Sequence, residues 1–294
     1  MVTVCCAGHV NWDVTLRVDR LPESDGEARI HDQHSSGGGS AANVAAALAR
    51  LDVDSGVVGA VGDDENGLLA RRALDGSNVD VTHLASMADQ PTTVKYLLVA
   101  ESGEVSVLGN EGANETIGPE DVDPAYVRAT SHVHLTSQRP ETAARIADIA
   151  SEADVPVSFD PGRRLPDRDF SAALERSDVV FVNDLEAESL LAKAHDSLVS
   201  DRVVVVKHGE RGAEVHAPDG RYSHPGFEVD PVDTTGAGDA FAAGFIAVRL
   251  ADGGYERALE FANACGALAA RGEGARTAPS REEIRVFLDS QFPG

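Results

Sequence analysis

Lysine is nearly missing from this sequence of 294 residues, and basic residues as a whole are outnumbered. Lysine occurs only at Lys95, Lys193 and Lys207, and 25 basic residues face 49 acidic ones, which gives a formal net charge of −24. A polyanionic surface repels nucleic acid, so we expect no nucleic-acid partner. It also predicts a halophilic protein, because molar salt screens the repulsion between carboxylates.

Long hydrophobic runs and two well-known phosphate-handling loops are absent as well. No window approaches eighteen consecutive apolar residues, and no charged leader precedes the strand-like stretch Val2–Ala7. We therefore expect a cytoplasmic protein without a membrane partner. The sequence contains no Gly-x-x-x-x-Gly-Lys-[Ser/Thr] loop and no His-Arg-Asp loop, which excludes the P-loop NTPases and the protein kinases.

Cysteine is too scarce for a disulfide framework. There are three cysteines, and Cys5 and Cys6 are neighbours in a predicted strand whose side chains alternate between faces, so we expect reduced, buried thiols. His132 and His134 share one face of another predicted strand, but no third ligand accompanies them. We expect these histidines to be core or pocket-lining residues.

From about residue 130 onward, short β-branched apolar runs alternate with amphipathic helical stretches. This alternation predicts a three-layer α/β/α sandwich with a mostly parallel central sheet. The predicted strands are His132–Leu135, Val155–Phe159, Val179–Val182 and Val203–Val206. The predicted helices between them are Glu141–Ser151, Phe170–Arg176 and Leu185–Ala194.

Two segments break this rhythm, at about residues 14–36 and 92–109. Val94, Tyr96 and Leu98 alternate with other residues, and a hairpin turn is predicted at residues 101–104. We expect a small β-sheet lid inserted into a single domain that spans residues 1–294. A sheet this small is marginally stable alone, so we also expect a homodimer that forms through the lid.

The clearest signal for chemistry is the glycine-rich turn Gly236-Ala237-Gly238-Asp239, which leads into the helical run Ala242–Leu250. The first N–H groups of a helix have no internal partner, so those of Ala237, Gly238 and Asp239 can bind a phosphoryl oxygen. The Asp239 carboxylate can accept the proton of an attacking hydroxyl, which makes it the candidate general base. A tight strand-to-helix turn capped by Asp239 is the alternative interpretation.

The string from Asp233 to Phe241 resembles a signature of the PfkB family of carbohydrate kinases. Residues 37–43 and 61–67 resemble that family's N-terminal signature, so the resemblance extends over nearly the whole chain. It implies a ribokinase-like fold and transfer of the γ-phosphoryl group of ATP, with Mg²⁺, to a hydroxyl of a small sugar of the ribose, fructose or keto-deoxy type. The alternatives are a nucleoside kinase, a ribose-1-phosphate kinase and a non-catalytic sugar-binding regulator.

The resemblance also implies which residues contact the sugar. Asn11 and Asp13 follow the first strand, where ordinary turn chemistry is the competing explanation. The glycines of the N-terminal signature let a polyol lie against the backbone, and Asn43 offers both a donor and an acceptor. Arg164 belongs to a stretch that resembles an Asp-Pro-Asn-x-Arg element, with Gly162 in place of asparagine. The expected sugar ligands are Asn11, Asp13, Gly38, Gly39, Ser40, Asn43, Arg164 and Asp239.

The nucleotide and metal ligands follow from the same resemblance. Asn183 and Glu186 match an Asn-x-x-Glu motif that positions Mg²⁺ through water, although the spacing also fits a helix capping box. Lys207 replaces the small hydroxyl residue usual in the nucleotide loop, and a surface lysine is the alternative. The expected nucleotide ligands are Asn183, Lys207, His208, Gly209, Glu210, Arg211, Gly212, Gly238 and Asn263. The expected ligands of a monovalent cation such as K⁺ are Asp233, Thr235, Ala269, Gly272 and Gly274.

Overall fold

A computed structural model describes residues 2–192 and 202–291 of the chain. Strands in these ranges form two separate sheets, one of nine strands and one of four. In chain order, the strands are β1 (Val4–Ala7), β2 (Asn11–Val18), β3 (Ile30–Gly38), β4 (Ser55–Gly62), β5 (Leu84–Met87), β6 (Val94–Ala100), β7 (Val105–Gly109), β8 (His132–Thr136), β9 (Val157–Asp160), β10 (Val179–Asn183), β11 (Val203–Lys207), β12 (Ala213–Ala217) and β13 (Gly220–His224).

The larger sheet has the strand order β13-β12-β11-β10-β9-β8-β1-β4-β5. All neighbours from β11 to β5 are parallel, and β12 and β13 add an antiparallel edge. The order reverses at β1, which has β4 and β5 on one side and β8 to β11 on the other. Ligands of open α/β sheets bind at the carboxyl ends of the strands beside such a switch point.

Helices cover both faces of this sheet. Cys6 packs with the helices of one layer and Cys5 with those of the other, so the predicted alternation holds, and all three cysteines are buried and unbridged. The helices of the described ranges are α1 (Ser40–Arg50), α2 (Glu65–Asp75), α3 (Pro124–Arg128), α4 (Pro140–Ser151), α5 (Ser171–Leu174), α6 (Asp184–Ala192), α7 (Ala237–Leu250), α8 (Tyr255–Ala270) and α9 (Arg281–Gln291). The predicted end of α6 at Ala194 lies outside the described residues.

The smaller sheet has the order β3-β2-β6-β7 and lies where the sequence predicts a lid. Its first strand begins at Asn11 rather than near residue 14, and the hairpin between β6 and β7 turns at residues 101–104. Asn11 and Asp13 therefore lie on a strand of the lid sheet, and the turn interpretation of these two residues is wrong.

No helix in residues 2–192 or 202–291 is long and apolar enough to span a bilayer.

The pair His132 and His134 is buried within the larger sheet, where both rings hydrogen-bond to the hydroxyl of Ser158 at 2.8 Å. Burial lowers the pKa of both histidines, to about 3 and about 4 respectively, so they are neutral core residues.

Candidate active site

The glycine-rich turn forms the start of α7. Gly236 precedes the helix with φ 78°, and a side chain there would overlap the carbonyl oxygen of Ala275, so the position requires glycine. The helix begins at Ala237, five residues earlier than predicted, and the Ala237 N–H already donates to the carbonyl of Thr234. Within the described chain, the N–H groups of Gly238 and Asp239 make no hydrogen bond. Two of the three N–H groups predicted to bind a phosphoryl oxygen are therefore available.

Asp239 lies in the first turn of α7 and faces the start of α1. The Nδ2 group of Asn43 donates a hydrogen bond of 2.8 Å to Oδ2 of Asp239. Burial raises the pKa of Asp239 to about 6, although the hydrogen bond from Asn43 acts in the opposite direction. A carboxylate with a pKa near the working pH is suited to accept a proton from a hydroxyl group.

Buried polar atoms without a protein partner lie beside this pair. Among the described residues, Nδ2 of Asn11, Oδ1 of Asp13 and Nη1 of Arg276 are buried and make no hydrogen bond. A side chain at Gly38 would overlap the Asp13 carboxylate, so glycine keeps the backbone close to this group. One acceptor and two donors together suit sugar hydroxyls, because each hydroxyl both donates and accepts. We call the region formed by Asn11, Asp13, Gly38 and Arg276 the hydroxyl pocket.

Gly39 and Ser40 form the N-terminus of α1 beside the hydroxyl pocket. Gly39 precedes the helix with φ 93°, and a side chain there would overlap the carbonyl of His9. The Asn43 N–H donates to the Gly39 carbonyl at 2.8 Å, which closes the first helical turn and directs the Asn43 side chain toward Asp239. Ser40 is half-buried at the first helical position. The predicted residues Gly38, Gly39, Ser40 and Asn43 therefore lie together at the N-terminus of α1.

Arg276 was not predicted from the sequence. Its Nε donates to Oδ1 of Asn43 at 3.3 Å, and its Nη2 donates to the carbonyl of Gly38 at 3.2 Å. Burial lowers the pKa of Arg276 to about 10, and the nearby Asp13 opposes this change. Arg276 belongs to no motif, and its one signal in the sequence is its position two residues after Gly274, at the end of the predicted cation loop.

A cleft of about 850 Å³ lies on the other side of the α7 turn. It reaches Lys207, Gly238 and Asn263, as expected of a nucleotide site, and Nδ2 of Asn263 donates to the carbonyl of Leu259. The mainly apolar segment 225–231, which forms a wall of the cleft, was not identified from the sequence. The lining residues are Lys207, Gly209, Glu210, Gly212, Pro225, Gly226, Phe227, Glu228, Val229, Pro231, Thr234, Ala237, Gly238, Phe241, Asn263, Gly266, Ala267 and Ala270.

Two of the predicted nucleotide ligands point elsewhere. Nδ1 of His208 lies 2.6 Å from one carboxylate oxygen of Asp184, and Nη2 of Arg211 lies 2.7 Å from the other. Neither His208 nor Arg211 lines the cleft. The prediction that these two side chains contact the nucleotide is therefore not supported by their positions, because Asp184 holds both of them.

Lys207 ends β11 inside the site. Its Nζ donates a hydrogen bond of 2.6 Å to Oδ2 of Asp160 at the end of β9, and both side chains are largely buried. Burial lowers the pKa of Lys207, but the adjacent Asp160 carboxylate outweighs burial and raises it. A β-carbon added at Gly238 would meet only this ammonium group, at 3.6 Å. The surface-lysine interpretation is wrong, because Lys207 is a largely buried cation beside the α7 turn.

Asn183 and Glu186 form a reciprocal cap at the start of α6. The Asn183 N–H donates to Oε2 of Glu186, and the Glu186 N–H donates to Oδ1 of Asn183, both at 2.9 Å. The capping-box interpretation is therefore confirmed. Glu186 is 5% exposed, and burial together with the charge of Asp160 raises its pKa. Its Oε1 makes no hydrogen bond within the described chain.

The predicted cation ligands lie in one loop region. Oδ1 of Asp233 accepts from the Thr235 N–H at 2.9 Å, and Oδ2 accepts from the Gly274 N–H at 3.1 Å. The Ala269 carbonyl already accepts two hydrogen bonds, from the backbone N–H three residues later at 3.1 Å and from the hydroxyl of Thr277 at 2.8 Å. Both lone pairs of that oxygen are therefore used by the protein itself, which makes Ala269 the weakest of the predicted ligands.

A group of charged side chains surrounds Glu115, and the preceding residue, Asn114, donates a hydrogen bond to Asn11 of the hydroxyl pocket. Glu115 lies 3.0 Å from Nε2 of His9, 3.3 Å from Nη1 of Arg164 and 3.0 Å from Nη1 of Arg168. Burial opposes ionisation, but hydrogen bonds from His9 and Arg168 lower the pKa of Glu115 to about 2. We call these four residues the Glu115 cluster. Sequence reasoning identified Arg164 but missed the other three residues.

Comparisons with known proteins agree with this architecture. The family model for pfkB family carbohydrate kinases matches residues 1–282. The chain is 62% identical to the ATP-dependent ribose-1-phosphate kinase of Halopiger xanaduensis, over 99% of this chain and 100% of that protein. It is 28% identical to the ribokinase of Bacillus subtilis, over 98% and 100% of the two chains. The structure of Arabidopsis thaliana ribokinase complexed with ribose and ATP matches with a TM-score of 0.89 at 28% identity, over 98% and 99% of the chains. These likenesses confirm the predicted three-layer fold with a small additional sheet.

Proposed function

The chain belongs to the pfkB family of carbohydrate kinases, and from this membership we propose that it transfers the γ-phosphoryl group of ATP to ribose 1-phosphate. The observation that carries the choice of substrate is the likeness to the Halopiger enzyme over its whole length. The reaction type is that of a phosphotransferase with an alcohol group as acceptor. The arrangement of Asp239, Asn43 and the α7 turn supports this chemistry.

In the proposed reaction, Asp239 accepts the proton of the primary hydroxyl of the sugar. The hydroxyl oxygen forms a bond to the γ-phosphorus as the bond to the bridging oxygen breaks, and ADP leaves. The Gly238 and Asp239 N–H groups and the Lys207 ammonium group stabilise charge on the transferring phosphoryl group. Asn43 orients the base through its hydrogen bond of 2.8 Å. The other hydroxyls are held by Asn11, Asp13, Arg276 and the backbone of residues 38–40.

We propose that Glu186 holds Mg²⁺ through water. Its unused Oε1 and its burial beside Asp160 suit an oxygen-preferring cation. Mg²⁺ supplies neutralisation of the phosphate charges when it is bound. The nucleotide would lie in the cleft, against Gly209, Glu210, Gly212 and Asn263.

For the monovalent cation we propose the loop that contains Asp233, Thr235, Gly272 and Gly274. Backbone carbonyl oxygens and a carboxylate form the kind of oxygen-rich site that K⁺ prefers, and Asp233 already ties the two halves of this loop together. Ala269 stays at its edge, because its carbonyl accepts from both Thr277 and the Gly272 N–H, whereas the Gly274 carbonyl accepts from Thr277 alone among the described residues. Activity measured in NaCl instead of KCl tests this site, and we expect a lower kcat in NaCl. An equal kcat in the two salts would contradict it.

We also propose that the chain is a single domain of a halophilic, cytoplasmic protein that forms a homodimer through its lid. Net charge of −24 supports a high-salt environment. Large apolar side chains of the lid sheet are 43% to 58% exposed, which supports a partner surface there. They are Ile30, Tyr96, Val105, Val107 and Leu108. A monomer in sedimentation at working salt would contradict the dimer.

A coupled ADP-release assay at about 2 M KCl tests the substrate. The panel contains ribose 1-phosphate, ribose, fructose, 2-keto-3-deoxygluconate and several nucleosides, each with Mg²⁺ and ATP. We expect ribose 1-phosphate to give the highest kcat/KM. A nucleoside or a free sugar as the preferred acceptor would contradict the proposal.

The pKa of Asp239 predicts the pH dependence of the reaction. Burial raises this pKa to about 6, so the base is protonated and inactive at lower pH. We expect kcat/KM to fall about tenfold per pH unit below about pH 6 and to be level above it. Ribose serves as a control substrate, because the phosphate of ribose 1-phosphate itself titrates near pH 6. If kcat/KM for ribose began to fall only below about pH 4, the assignment of Asp239 as the base would be contradicted.

A further inference from the structure

We infer that the Glu115 cluster, with Lys95 and Ser137, binds the phosphate group that the substrate already carries. This inference rests on the proposed function, since free ribose has no such group. The hydroxyl pocket contains both donors and an acceptor, and Asp13 supplies a negative charge there. The region around Glu115 differs, because its unused groups are hydrogen-bond donors on cationic side chains and one hydroxyl.

The charge of this region fits a phosphate monoester. Arg164 and Arg168 are cations that both pair with the carboxylate of Glu115, and burial lowers the pKa of His9. Lys95 is a third cation nearby, and its charge also acts on Asp13. The Glu115 cluster therefore has one positive charge in excess, and Lys95 supplies a second that Asp13 partly offsets. A phosphate monoester carries a charge of about −1.5 to −2 near pH 7, so this local positive charge attracts it. The chain as a whole has a net charge of −24, so this excess of positive charge is local.

Two arginine side chains of the Glu115 cluster have unused donors. Arg164 uses only Nη1, toward Glu115, and Arg168 uses only Nη1, toward Glu115 and the carbonyl of Gln138. Within the described ranges, the other N–H groups of both guanidinium groups make no hydrogen bond. Guanidinium forks of this kind match the geometry of phosphate oxygens, which accept two parallel hydrogen bonds.

Ser137 adds a neutral donor to the same region. Its hydroxyl is buried and has no partner among the described residues. The backbone of Ser137 adjoins Gly8, which precedes His9, and its β-carbon adjoins Gly162, two residues before Arg164. A buried hydroxyl without a partner costs free energy unless a ligand or water completes its hydrogen bond. Phosphate oxygens are acceptors and can complete it.

Lys95 lies near both the Glu115 cluster and the hydroxyl pocket. It is the register partner of Asp13 across β2 and β6, and its charge acts on His9, Asp13 and Asp239. Asn114, which precedes Glu115, donates a hydrogen bond to Oδ1 of Asn11, so the Glu115 cluster adjoins the hydroxyl pocket. Carbons 1 and 4 of ribose flank the ring oxygen and carry the phosphate and the hydroxymethyl group. In this arrangement the phosphate lies at the Glu115 cluster and the primary hydroxyl faces Asp239.

The test compares Arg164→Ala and Lys95→Met with the unchanged enzyme, on ribose 1-phosphate and on ribose. We expect kcat/KM for ribose 1-phosphate to fall about tenfold to a hundredfold in each variant, mainly through a higher KM. The preference for ribose 1-phosphate over ribose should fall at least about tenfold, because ribose makes no phosphate contact. Arg164→Lys should recover part of the loss. Arg128→Ala is a matched control, since Arg128 is similarly exposed and pairs with Glu152 on the surface.

Each outcome separates the inference from the proposed function. An unchanged enzyme that fails to phosphorylate ribose 1-phosphate overturns the proposed function, and the inference falls with it. An enzyme that uses ribose 1-phosphate, with variants that keep its KM and its preference, overturns the inference alone. Thermal unfolding of each variant at the assay salt concentration identifies a loss of folding. Lys95 is exposed, so its replacement by methionine leaves the core unchanged.

Discussion

Replacement of Asp239 by asparagine is expected to lower kcat by about a thousandfold to ten-thousandfold. Asparagine has nearly the same shape, and its Oδ1 can still accept the hydrogen bond from Asn43, but it cannot take the proton of the sugar hydroxyl. The affinity for ribose 1-phosphate should change little, because the hydroxyl pocket is intact. Steady-state ADP release measures the first effect, and calorimetric titration with the sugar phosphate measures the second.

Asp148→Asn is a control for this experiment, because Asp148 lies on α4 and pairs with Arg176 outside the site. We expect it to keep the activity of the unchanged enzyme. Turnover of Asp239→Asn at the unchanged rate would remove Asp239 from the mechanism. A parallel loss of sugar binding would instead indicate that the substitution disturbs the Asn43 contact.

Replacement of Lys207 by threonine should lower kcat about a hundredfold to a thousandfold. The ammonium group lies beside the open space at Gly238, where the transferring phosphoryl group is proposed to sit. Its loss should also shift the acidic limb of the pH profile upward, because the charge of Lys207 lowers the pKa of Asp239. The measurements are kcat at saturating substrate and the pH dependence with ribose.

The same substitution leaves Asp160 buried without its cation, which can destabilise the fold. The double variant Lys207→Met with Asp160→Asn removes both charges and tests the catalytic effect separately. A folded double variant should remain at least about a hundredfold slower than the unchanged enzyme. Turnover at the unchanged rate in this double variant would show that Lys207 serves only to pair with Asp160.

The parts of the site that depend on local sequence were predictable. The glycine turn and Asp239 follow one another in the chain, so their motif already specifies the start of a helix with a carboxylate in its first turn. The alternating apolar strands likewise predict the parallel sheet. The motif did not show that the Ala237 N–H donates to the carbonyl of Thr234 within the same turn and is therefore not free to bind a phosphoryl oxygen.

The parts that depend on distant contacts were not predictable. Arg276 meets Asn43 across 233 residues of chain, and Glu115 meets His9 across 106. Only the folded sheet brings such residues together, and neither Arg276 nor Glu115 lies in a motif. The prediction that the side chains at positions 208 and 211 contact the nucleotide differs from the structure for another reason. Their loop resembles a nucleotide site, but both side chains bind Asp184 instead of lining the cleft.

The scarcity of lysine gives the enzyme an unusual response to amine-reactive reagents. Only three lysine side chains exist in the chain, and two of them, Lys95 and Lys207, belong to the proposed site. Lys207 is buried in an ion pair and should resist acylation, whereas Lys95 is exposed on the lid. Covalent labelling at Lys95, located by peptide mapping, is therefore expected to report whether the proposed sugar site is occupied.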